Sequence, residues 1–267
     1  MDVGERAGFA DEIRRTVIEQ SYRAGVGHIG SALSIADLLA AVIGGPARLD
    51  AGEERDRIVL SKGHAALALY AALHIRGLLE PGQIDTYCGD GTLLGVHPEH
   101  GLHGVDFCTG SLGQGLSLGA GAALGAQRQG SERRVYAIAS DAELNEGSTW
   151  EAALFAAQHR LDNLTLLIDL NGQQALGYTP EVLDLGDVEA KLAAFGWSVA
   201  AVPGHDQAAL GAALEQPSDG RPRAIVAETT FGYGVSFMES KIEWHYLPLD
   251  EESYGEALAE LERRAAA

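Results

Sequence analysis

The chain has 267 residues, of which 46% are hydrophobic and 21% charged, enough to bury the core of one large α/β domain. Its formal net charge is −19, so it repels the phosphate backbone of nucleic acids and offers anionic membranes no attraction. The only cysteines, Cys88 and Cys108, lack CxxC spacing, which argues against a disulfide framework and a thiolate zinc site. We find neither a signal-peptide pattern nor an apolar run of about 18 residues, and therefore expect a cytoplasmic protein without a membrane span.

Short apolar runs alternate with helical patterns along most of the chain. Strands are predicted for five runs rich in β-branched or large apolar residues: Arg57–Ser61, Arg134–Ala139, Leu164–Asp169, Trp197–Val202 and Arg223–Glu228. These runs lack the alternation of a half-exposed strand, which indicates strands buried on both faces of a parallel sheet. Helices are predicted over Phe9–Ala24, Ser34–Ile43, Ala65–Gly77, Leu116–Arg128, Glu146–His159, Val188–Phe195 and Gln207–Leu214.

The order of these elements predicts the fold class. Strands that alternate with helices are typical of a doubly wound α/β fold, with a mainly parallel sheet and helices on both faces. We expect residues 1–267 to form a single domain, closed by a surface helix over Asp250–Arg264 and frayed over 265–267. The segment from Cys88 to Thr109 is rich in Gly and His and lacks periodicity, which predicts a long functional loop near residues 88–115.

The segment SDAELNEG, residues 140–147, directly follows a predicted strand and leads into a helix. Ligands of open α/β sheets bind at the carboxyl ends of strands, so Asp141 is a candidate binding residue. The next strand leads into DLNGQ, residues 169–173, which would bring Asn171 and backbone carbonyls to the same place. Oxygen ligands of this kind suit Mg²⁺. Asp and Asn also commonly cap helices after such turns, and spacing alone leaves both interpretations open.

Glycines and histidines mark further candidate positions. The glycine-rich turn TGSLGQG, residues 109–115, precedes a helix, where backbone N–H groups can approach a ligand closely. Histidines on loops are candidates for the same reason, and the chain places them at His28, His64, His97, His100, His103 and His245. The three histidines of the long loop could also form a metal cluster, although no carboxylate lies at a helical spacing to support one.

Taken together and in this order, these motifs resemble the N-terminal region of transketolases. The resemblance runs over essentially the whole chain and is carried by GHIGSALSIADLL (27–39), RDRIVLSKGHAA (55–66), HPE (97–99), TGSLGQGLSLGAG (109–121), SDAELNEGSTWEA (140–152), DLNGQ (169–173) and TTFGYGVSFMES…WH (229–245). It implies the thiamin diphosphate-binding fold and favours the Mg²⁺ interpretation. It also implies transfer of a two-carbon ketol unit from a ketose or ketose phosphate to an aldehyde acceptor, by the carbanion chemistry of thiamine diphosphate.

The resemblance also implies roles for individual residues. The implied Mg²⁺ ligands are Asp141, Asn171 and the backbone carbonyl of Gln173. The implied cofactor contacts are His64, Gly110, Ser111, Leu112 and the backbone N–H of Ala142. The implied catalytic histidines, which line the substrate channel and move protons of the ketose, are His28, His64, His97 and His245. Glu146 is implied as a carboxylate that supports the site indirectly or lies at a subunit interface.

Two positions depart from the family pattern. The family's cofactor motif begins Gly-Asp-Gly, whereas this chain has Ser140-Asp141-Ala142. A Cβ at residue 142 is costly if the backbone there has a positive φ, yet we expect Mg²⁺ and cofactor to bind. The family's Trp-His-Gly is Trp244-His245-Tyr246 here, which predicts a narrowed or reshaped channel. Both changes point to a specialised substrate.

The resemblance covers only the first of the three domains of a full-length transketolase. In that family the glutamate that activates the aminopyrimidine of the cofactor belongs to the second domain. We therefore expect a separately encoded C-terminal transketolase subunit that carries the pyrimidine-binding domain, in a heterotetramer with two copies of each chain.

Other functions fit the sequence less well. The chain has no G-x-G-x-x-G opening a βαβ unit and no Walker A lysine motif, which argues against a nicotinamide-dependent dehydrogenase and an NTPase. A non-catalytic or regulatory cofactor-binding subunit is the remaining alternative, favoured by the altered motif at residues 140–142. The donor and acceptor stay open, because sugar phosphates of central metabolism and dedicated secondary-metabolite substrates both fit.

Overall fold

The computed structural model describes residues 1–266 and has a parallel β-sheet at its centre. The strands in chain order are β1 (Arg57–Leu60), β2 (Val135–Ser140), β3 (Leu164–Leu170), β4 (Gln173–Gln174), β5 (Gly177–Tyr178), β6 (Ser198–Pro203) and β7 (Arg223–Glu228). Five of them form one sheet in the order β1-β2-β3-β7-β6, with every neighbouring pair parallel. The strands β4 and β5 form a separate antiparallel hairpin. The five predicted strands are therefore confirmed.

Helices cover both faces of this sheet. They are α1 (Val3–Ala24), α2 (Ile29–Ser34), α3 (Ala36–Ile43), α4 (Ala66–Ile75), α5 (Gly115–Gln129), α6 (Gly147–Gln158), α7 (Thr179–Leu183), α8 (Val188–Ala194), α9 (Gln207–Glu215) and α10 (Glu251–Ala265). One apolar core joins the sheet to α1–α4, α9 and α10, and a second core joins it to α5, α6 and α8. The predicted doubly wound α/β fold is confirmed.

Alternate residues of one strand serve the two cores, which explains the continuous apolar runs. In β2, Tyr136 and Ile138 belong to the first core, and Val135, Ala137 and Ala139 belong to the second. All five side chains are at most 3% exposed. A strand covered on both sides has no polar face, so its sequence shows no period of two.

The first helix begins earlier than its periodicity indicates. The apolar pattern predicts a start at Phe9, whereas α1 begins at Val3. A capping box explains the difference, because the Asp2 carboxylate accepts the N–H of Glu5 at 2.8 Å and the Glu5 carboxylate accepts the N–H of Asp2 at 2.7 Å. The extra turn therefore depends on local polar contacts rather than on apolar periodicity.

Further elements differ from the prediction. The helix predicted over Ser34–Ile43 is α3, which begins at Ala36, and the short helix α2 before it was not predicted. The β4–β5 hairpin and α7 were not predicted. Ala265, where fraying was expected, belongs to α10, and residue 267 lies outside the described residues. Among the described helices, none combines the length and the apolar character needed to cross a membrane.

The long loop predicted near residues 88–115 is irregular chain. Between Tyr87 and Gln114 the described backbone forms neither helix nor strand, apart from one isolated bridge between Leu94 and Pro98. The Thr109 hydroxyl donates to the backbone carbonyl of Leu60 at 2.6 Å. This contact brings the glycine turn after Thr109 to the carboxyl end of β1.

A buried carboxylate fixes the start of two neighbouring strands. Asp56, which is 0% exposed, accepts the backbone N–H of Arg48 at 2.9 Å and of Arg134 at 2.8 Å. The guanidinium groups of both arginines also donate to it, at 2.9 and 2.8 Å. Burial alone would raise the pKa of Asp56, but these donors hold it below its usual value. The carboxylate thus joins the chain before β1 to the residue that precedes β2.

We predict that Asp56→Asn lowers the free energy of unfolding by about 3 kcal/mol, because it leaves buried donors without the charge they surround. Urea unfolding at pH 7 measures the change. Asp219→Asn is the matched control, since Asp219 forms an exposed ion pair with Arg221 and its loss should leave the free energy of unfolding nearly unchanged. Equal losses in the two variants would contradict the prediction.

Candidate active site

The carboxyl ends of three neighbouring strands meet where the sequence placed the site. Ser140 at the end of β2 is in register with Asp169 on β3, and Asp169 is in register with Ala227 on β7. Asp141 follows β2 directly, and Asn171 follows β3 directly. Parallel strands therefore deliver the two predicted metal-ligating side chains to one edge of the sheet.

Hydrogen bonds within the protein orient the side chains of Asp141 and Asn171. Asp141 accepts the N–H of Ala142 at 2.9 Å on Oδ1, and the N–H of Gly172 at 2.9 Å and the hydroxyl of Thr179 at 2.8 Å on Oδ2. Asn171 donates through Nδ2 to Asp169 at 2.7 Å and accepts the N–H of Gln173 at 2.9 Å on Oδ1. An oxygen that accepts one hydrogen bond keeps a second lone pair, so Oδ1 of each residue can bind a cation.

The charge at this edge favours a cation. Burial, and then the neighbouring Asp169 carboxylate, raise the pKa of Asp141 to about 6. A divalent cation beside Asp141 would favour its ionised form. The donor set, a carboxylate oxygen and an amide oxygen next to backbone carbonyls, has the hard character that Mg²⁺ prefers. The residues present therefore fit this metal.

The backbone conformation of Ala142 accommodates a side chain without strain. Ala142 lies in a 3₁₀ turn over Asp141–Asn145 and is absent from the residues with positive φ. The strain that a Cβ would cause in a left-handed conformation does not arise here. Ala142 is compatible with the turn, and its N–H donates to Asp141 as described above.

The glycine turn packs tightly against two predicted site residues. Gly110 has a φ of 146°, and a Cβ on it would lie 2.9 Å from the His97 ring. Gly113 has a φ of 83°, and a Cβ on it would lie 2.5 Å from the Cβ of Glu146. Both positions need glycine for conformation and for space. The turn thereby brings the chain next to His97 and Glu146.

Glu143 holds three site segments together, a role that its sequence did not reveal. Its buried carboxylate accepts the hydroxyl of Ser61, the N–H of Gly113 at 2.9 Å and the N–H of Ser140 at 2.9 Å. These donors lie after β1, in the glycine turn and at the tip of β2. Burial raises the pKa of Glu143 although the three donors oppose the shift. The only signal in the sequence was its place inside the motif SDAELNEG.

A buried ion pair between Lys62 and Asp169 was also missed. Both side chains are 0% exposed, and the Lys62 ammonium donates to the Asp169 carboxylate and to the carbonyl of Ser31 at 3.2 Å. Asp169 also accepts the hydroxyls of Ser34, at 2.8 Å, and of Thr229. Although burial alone would raise it, the ammonium holds the pKa of Asp169 below its usual value. The sequence signal for Lys62 is its place between an apolar strand and an apolar helix, because a charged residue buried there needs a partner.

Hydrogen bonds through His205 fix the segment after β7. The N–H of Thr230 donates to Nε2 of His205 at 2.8 Å, and Nδ1 of the same ring bonds to Asp37 at 2.8 Å. Since Nε2 accepts, the proton lies on Nδ1. Phe231 follows Thr230, is 1% exposed and stacks against His245 with ring centroids 6.0 Å apart.

Three predicted histidines come together from distant parts of the chain. The ring centroids of His28, His64 and His245 are 5.2 to 5.6 Å apart. The N–H of His28 also donates to the carbonyl of His245 at 3.2 Å. His28 has a φ of 63°, a left-handed conformation that is unusual outside glycine. The turn before α2 is thus held in a special conformation that places this ring.

Burial keeps these rings uncharged at neutral pH. It lowers the pKa of His245 to about 4, with further contributions from His28 and Lys62. It also lowers the pKa of His64 well below its usual value, assisted by Lys62 and the neighbouring imidazoles. The pKa of His28 is lowered by burial and then by His97. Neutral imidazole has one ring nitrogen with a free lone pair, so each ring can take up a proton and then release it.

A cavity of about 140 Å³ collects most of the predicted residues. The predicted residues that line it are His28, His64, Gly110, Leu112, Ala142, Asn171, Gln173 and His245. Asp141 and Asn171 also border a second, larger cavity of about 640 Å³.

Four predicted residues lie outside the lining of the cavity of about 140 Å³: Asp141, which borders only the second cavity, and three exposed residues. His97 is exposed beside Gly110, and Ser111 and Glu146 are exposed on the surrounding surface. The other histidines of the long loop, His100 and His103, are exposed too. Within the described residues, no group of three His, Cys, Asp or Glu side chains could hold a metal, so the loop histidines form no such cluster.

Tyr246, which replaces the family's glycine, lies beside the candidate site. Its ring lies beside His245 with centroids 5.0 Å apart, and its hydroxyl donates to the carbonyl of Ala175 in the β4–β5 hairpin. A Cβ on Gly27 would lie 2.4 Å from the Tyr246 carbonyl, so the two backbones are in close contact. The tyrosine thus links the segment after His245 to the hairpin.

Comparison with known proteins identifies the family. Residues 6–261 match the model of the family described as transketolase, thiamine diphosphate binding domain. The chain belongs to the transketolase family. The predicted transketolase-like transferase and thiamin diphosphate-binding fold are confirmed.

Relatives and solved structures agree with this assignment. The chain is 41% identical to the 6-deoxy-6-sulfo-D-fructose transketolase subunit of Clostridium sp., over 96% of each chain. It is 35% identical to one subunit of the apulose-4-phosphate transketolase of Phocaeicola vulgatus, over 96% of this chain and 93% of that one. The transketolase of Campylobacter jejuni superposes with a TM-score of 0.91 at 29% identity, over 100% of this chain and 43% of that one. The chain thus spans nearly all of these subunits and about two-fifths of the full-length enzyme.

We predict that Glu143→Gln lowers the free energy of unfolding by about 2 kcal/mol, because an amide can no longer accept from donors on both sides. Thermal and urea unfolding measure the loss. Glu151→Gln on the exposed face of α6 is the control, with an expected change below about 0.5 kcal/mol. A neutral Glu143→Gln would show that the three segments are held by other contacts.

We predict that His245 makes stability depend on pH. Its folded pKa of about 4 lies below the unfolded value, so the unfolded chain binds more protons between about pH 4 and 6.5. The contribution of the neutral ring is present above that range and is lost as the pH falls through it. When the pH falls from 7 to 4, the free energy of unfolding of the wild type should fall by up to about 3 kcal/mol relative to that of His245→Asn. Urea unfolding at each pH tests this, and parallel pH profiles would contradict it.

Proposed function

We propose that this chain is the thiamine diphosphate- and Mg²⁺-binding subunit of a two-subunit transketolase. The enzyme transfers a two-carbon ketol unit from a ketose or ketose phosphate to an aldehyde. The observation that carries the proposal is the placing of Asp141 and Asn171 at one sheet edge beside the triangle of His28, His64 and His245. When bound, thiamine diphosphate supplies the carbanion chemistry that breaks the C–C bond.

In this proposal the sheet edge holds the metal and the diphosphate. Asp141, Asn171 and the backbone carbonyl of Gln173 bind Mg²⁺. The N–H of Ala142, the ring of His64 and the backbone of Gly110–Leu112 contact the cofactor. The bonds that already orient Asp141 and Asn171 support these roles, because ligands held in place lose little conformational freedom on binding.

In this proposal His28, His64, His97 and His245 accept and donate the protons of the substrates. His28, His64 and His245 form one wall of the cavity, and His97 stands at its edge beside Gly110. A neutral ring can accept the proton of a ketose hydroxyl as the C–C bond breaks and return it to the acceptor aldehyde oxygen. The low pKa of His245 keeps its ring in the form that accepts.

A partner subunit completes the site. The cavity of about 140 Å³ is smaller than the roughly 300–1,000 Å³ of typical ligand pockets, which supports a site only partly enclosed by this chain. Large apolar side chains are exposed nearby on the hairpin, α7 and the segment after His245: Leu176, Tyr178, Leu183, Tyr246 and Leu247. We assign to the partner the pyrimidine-binding domain, in a heterotetramer with two copies of each chain and Glu146 close to a subunit interface.

The donor sugar is inferred from the relatives and from Tyr246. The named relatives act on a sulfonated and a phosphorylated sugar, respectively. We infer a ketose donor with a specialised structure, in keeping with Tyr246. Both cysteines are free thiols, which is consistent with the proposed location in the reducing cytoplasm.

We predict that ketol transfer requires both this chain and a pyrimidine-domain subunit encoded beside it. Asp141→Ala should lower transfer by the assembled complex at least about 100-fold and abolish Mg²⁺-dependent thiamine diphosphate binding in calorimetry. Asp219→Ala is the control, since Asp219 is an exposed carboxylate that pairs with Arg221 and lines neither cavity.

Two outcomes would contradict the proposal. Full turnover by this chain alone would remove the need for a partner. An assembled complex that binds cofactor but keeps its properties unchanged with Asp141→Ala would favour the alternative, a non-catalytic or regulatory cofactor-binding subunit.

A further inference from the structure

Two adjacent glutamines carry buried amide atoms that lack hydrogen-bond partners. Gln173 and Gln174 form β4 and are 6% and 8% exposed. Among the described residues, nothing bonds to Nε2 or Oε1 of Gln173 or to Nε2 of Gln174. Buried amides are nearly always paired, because an unpaired one loses its bonds to water without replacement.

The same chain pairs a glutamine of similar burial elsewhere. Gln20 on α1 is 7% exposed, donates through Nε2 to Asp85 at 2.9 Å and accepts from Nε of Arg23 at 2.6 Å. Elsewhere among the described residues, Asn163 and Gln207 leave only their amide oxygen unpaired and donate through their nitrogen, whereas Gln173 lacks a partner at both atoms.

That position is the cavity of the candidate active site. Both glutamines line it, together with His28 and His245. Nδ1 of His28 is likewise buried without a partner among the described residues. The three residues that carry these unpaired atoms thus line one space of about 140 Å³, and a turn of their side chains toward it would let a ligand there supply the missing bonds.

The chemistry of these groups indicates the kind of ligand. A primary amide both donates and accepts, and so does a hydroxyl group. An anion would instead need positive charge, which in the proposed function comes from the bound Mg²⁺, because the one ammonium of the lining, Lys62, is already paired with Asp169. Neutral groups of mixed donor and acceptor character suit the carbon chain of a sugar, which carries a hydroxyl on successive carbons.

We propose that the side chains of Gln173 and Gln174 bind hydroxyl groups of the ketose donor beyond the transferred unit and so determine which sugar is accepted. This inference rests on the proposed function. It assigns to the Gln173 side chain a role separate from that of its backbone carbonyl. The hairpin thus contributes to substrate choice through two amides that the protein leaves unpaired.

The test uses Gln174→Met in the assembled complex, since methionine has a similar length and no amide. The value of kcat/KM for a ketose donor should fall about 10-fold or more, because a site built for hydroxyls loses a partner. With hydroxypyruvate, whose ketol unit is followed by no hydroxylated carbon, kcat/KM should stay within about 2-fold. The unfolding temperature of the variant should be unchanged or higher, because an unpaired amide has been removed.

Gln20→Met is the matched control, since it removes a paired glutamine far from the cavity. It should lower the unfolding temperature and leave kcat/KM for both donors within about 2-fold of the wild type.

Three results would overturn the inference. A Gln174→Met variant destabilised as much as Gln20→Met would show that the amide is paired within the protein. Weaker thiamine diphosphate binding in calorimetry, with equal losses for both donors, would assign the amides to the cofactor. A wild-type complex inactive with every donor would defeat the proposed function itself, whereas an active complex indifferent to Gln174→Met would defeat only the role of the glutamine.

Discussion

The Asp169 carboxylate is the interaction on which the arrangement of the site depends. It accepts from Lys62, Ser34, Asn171 and Thr229, which belong to the turn after β1, to α2, to the turn after β3 and to the segment after β7. The carboxylate is fully buried, so each of these bonds forms where water cannot compete. A buried ion pair with several further donors costs the fold little while complete, and removal of one partner is strongly destabilising. One charged pair thereby fixes the relative positions of four segments.

The same pair explains why Asn171 can serve as a ligand. Its Nδ2 group faces the Asp169 carboxylate, so its Oδ1 oxygen points away from that carboxylate and accepts the N–H of Gln173. On the other side of the β2 tip, Glu143 fixes the glycine turn through the N–H of Gly113. These bonds are complete without a ligand, so the site is organised in advance and binding need not order it.

The sequence predicted the five strands of the sheet and the edge that carries the site. Asp141 and Asn171 follow neighbouring strands, and parallel topology brings all such strand ends to the same edge. The cap at Asp2 was missed although Asp2 and Glu5 have the spacing of a capping box, whereas the two-residue strands of the hairpin produce no repeating apolar pattern. The long-range polar contacts could not be predicted from the sequence, for a different reason. Lys62 and Asp169 are 107 positions apart, and no local spacing links a charged side chain to so distant a partner.

Two sets of buried polar groups in this chain differ in a way that matters for function. Asp169, Glu143 and Asp56 have complete sets of donors and hold segments together. Gln173, Gln174 and His28 have unpaired atoms and border the cavity. A protein keeps an unpaired buried group against its own stability, so such groups persist where a ligand uses them. The first set explains how the site is built, and the second shows where its ligand contacts are to be sought.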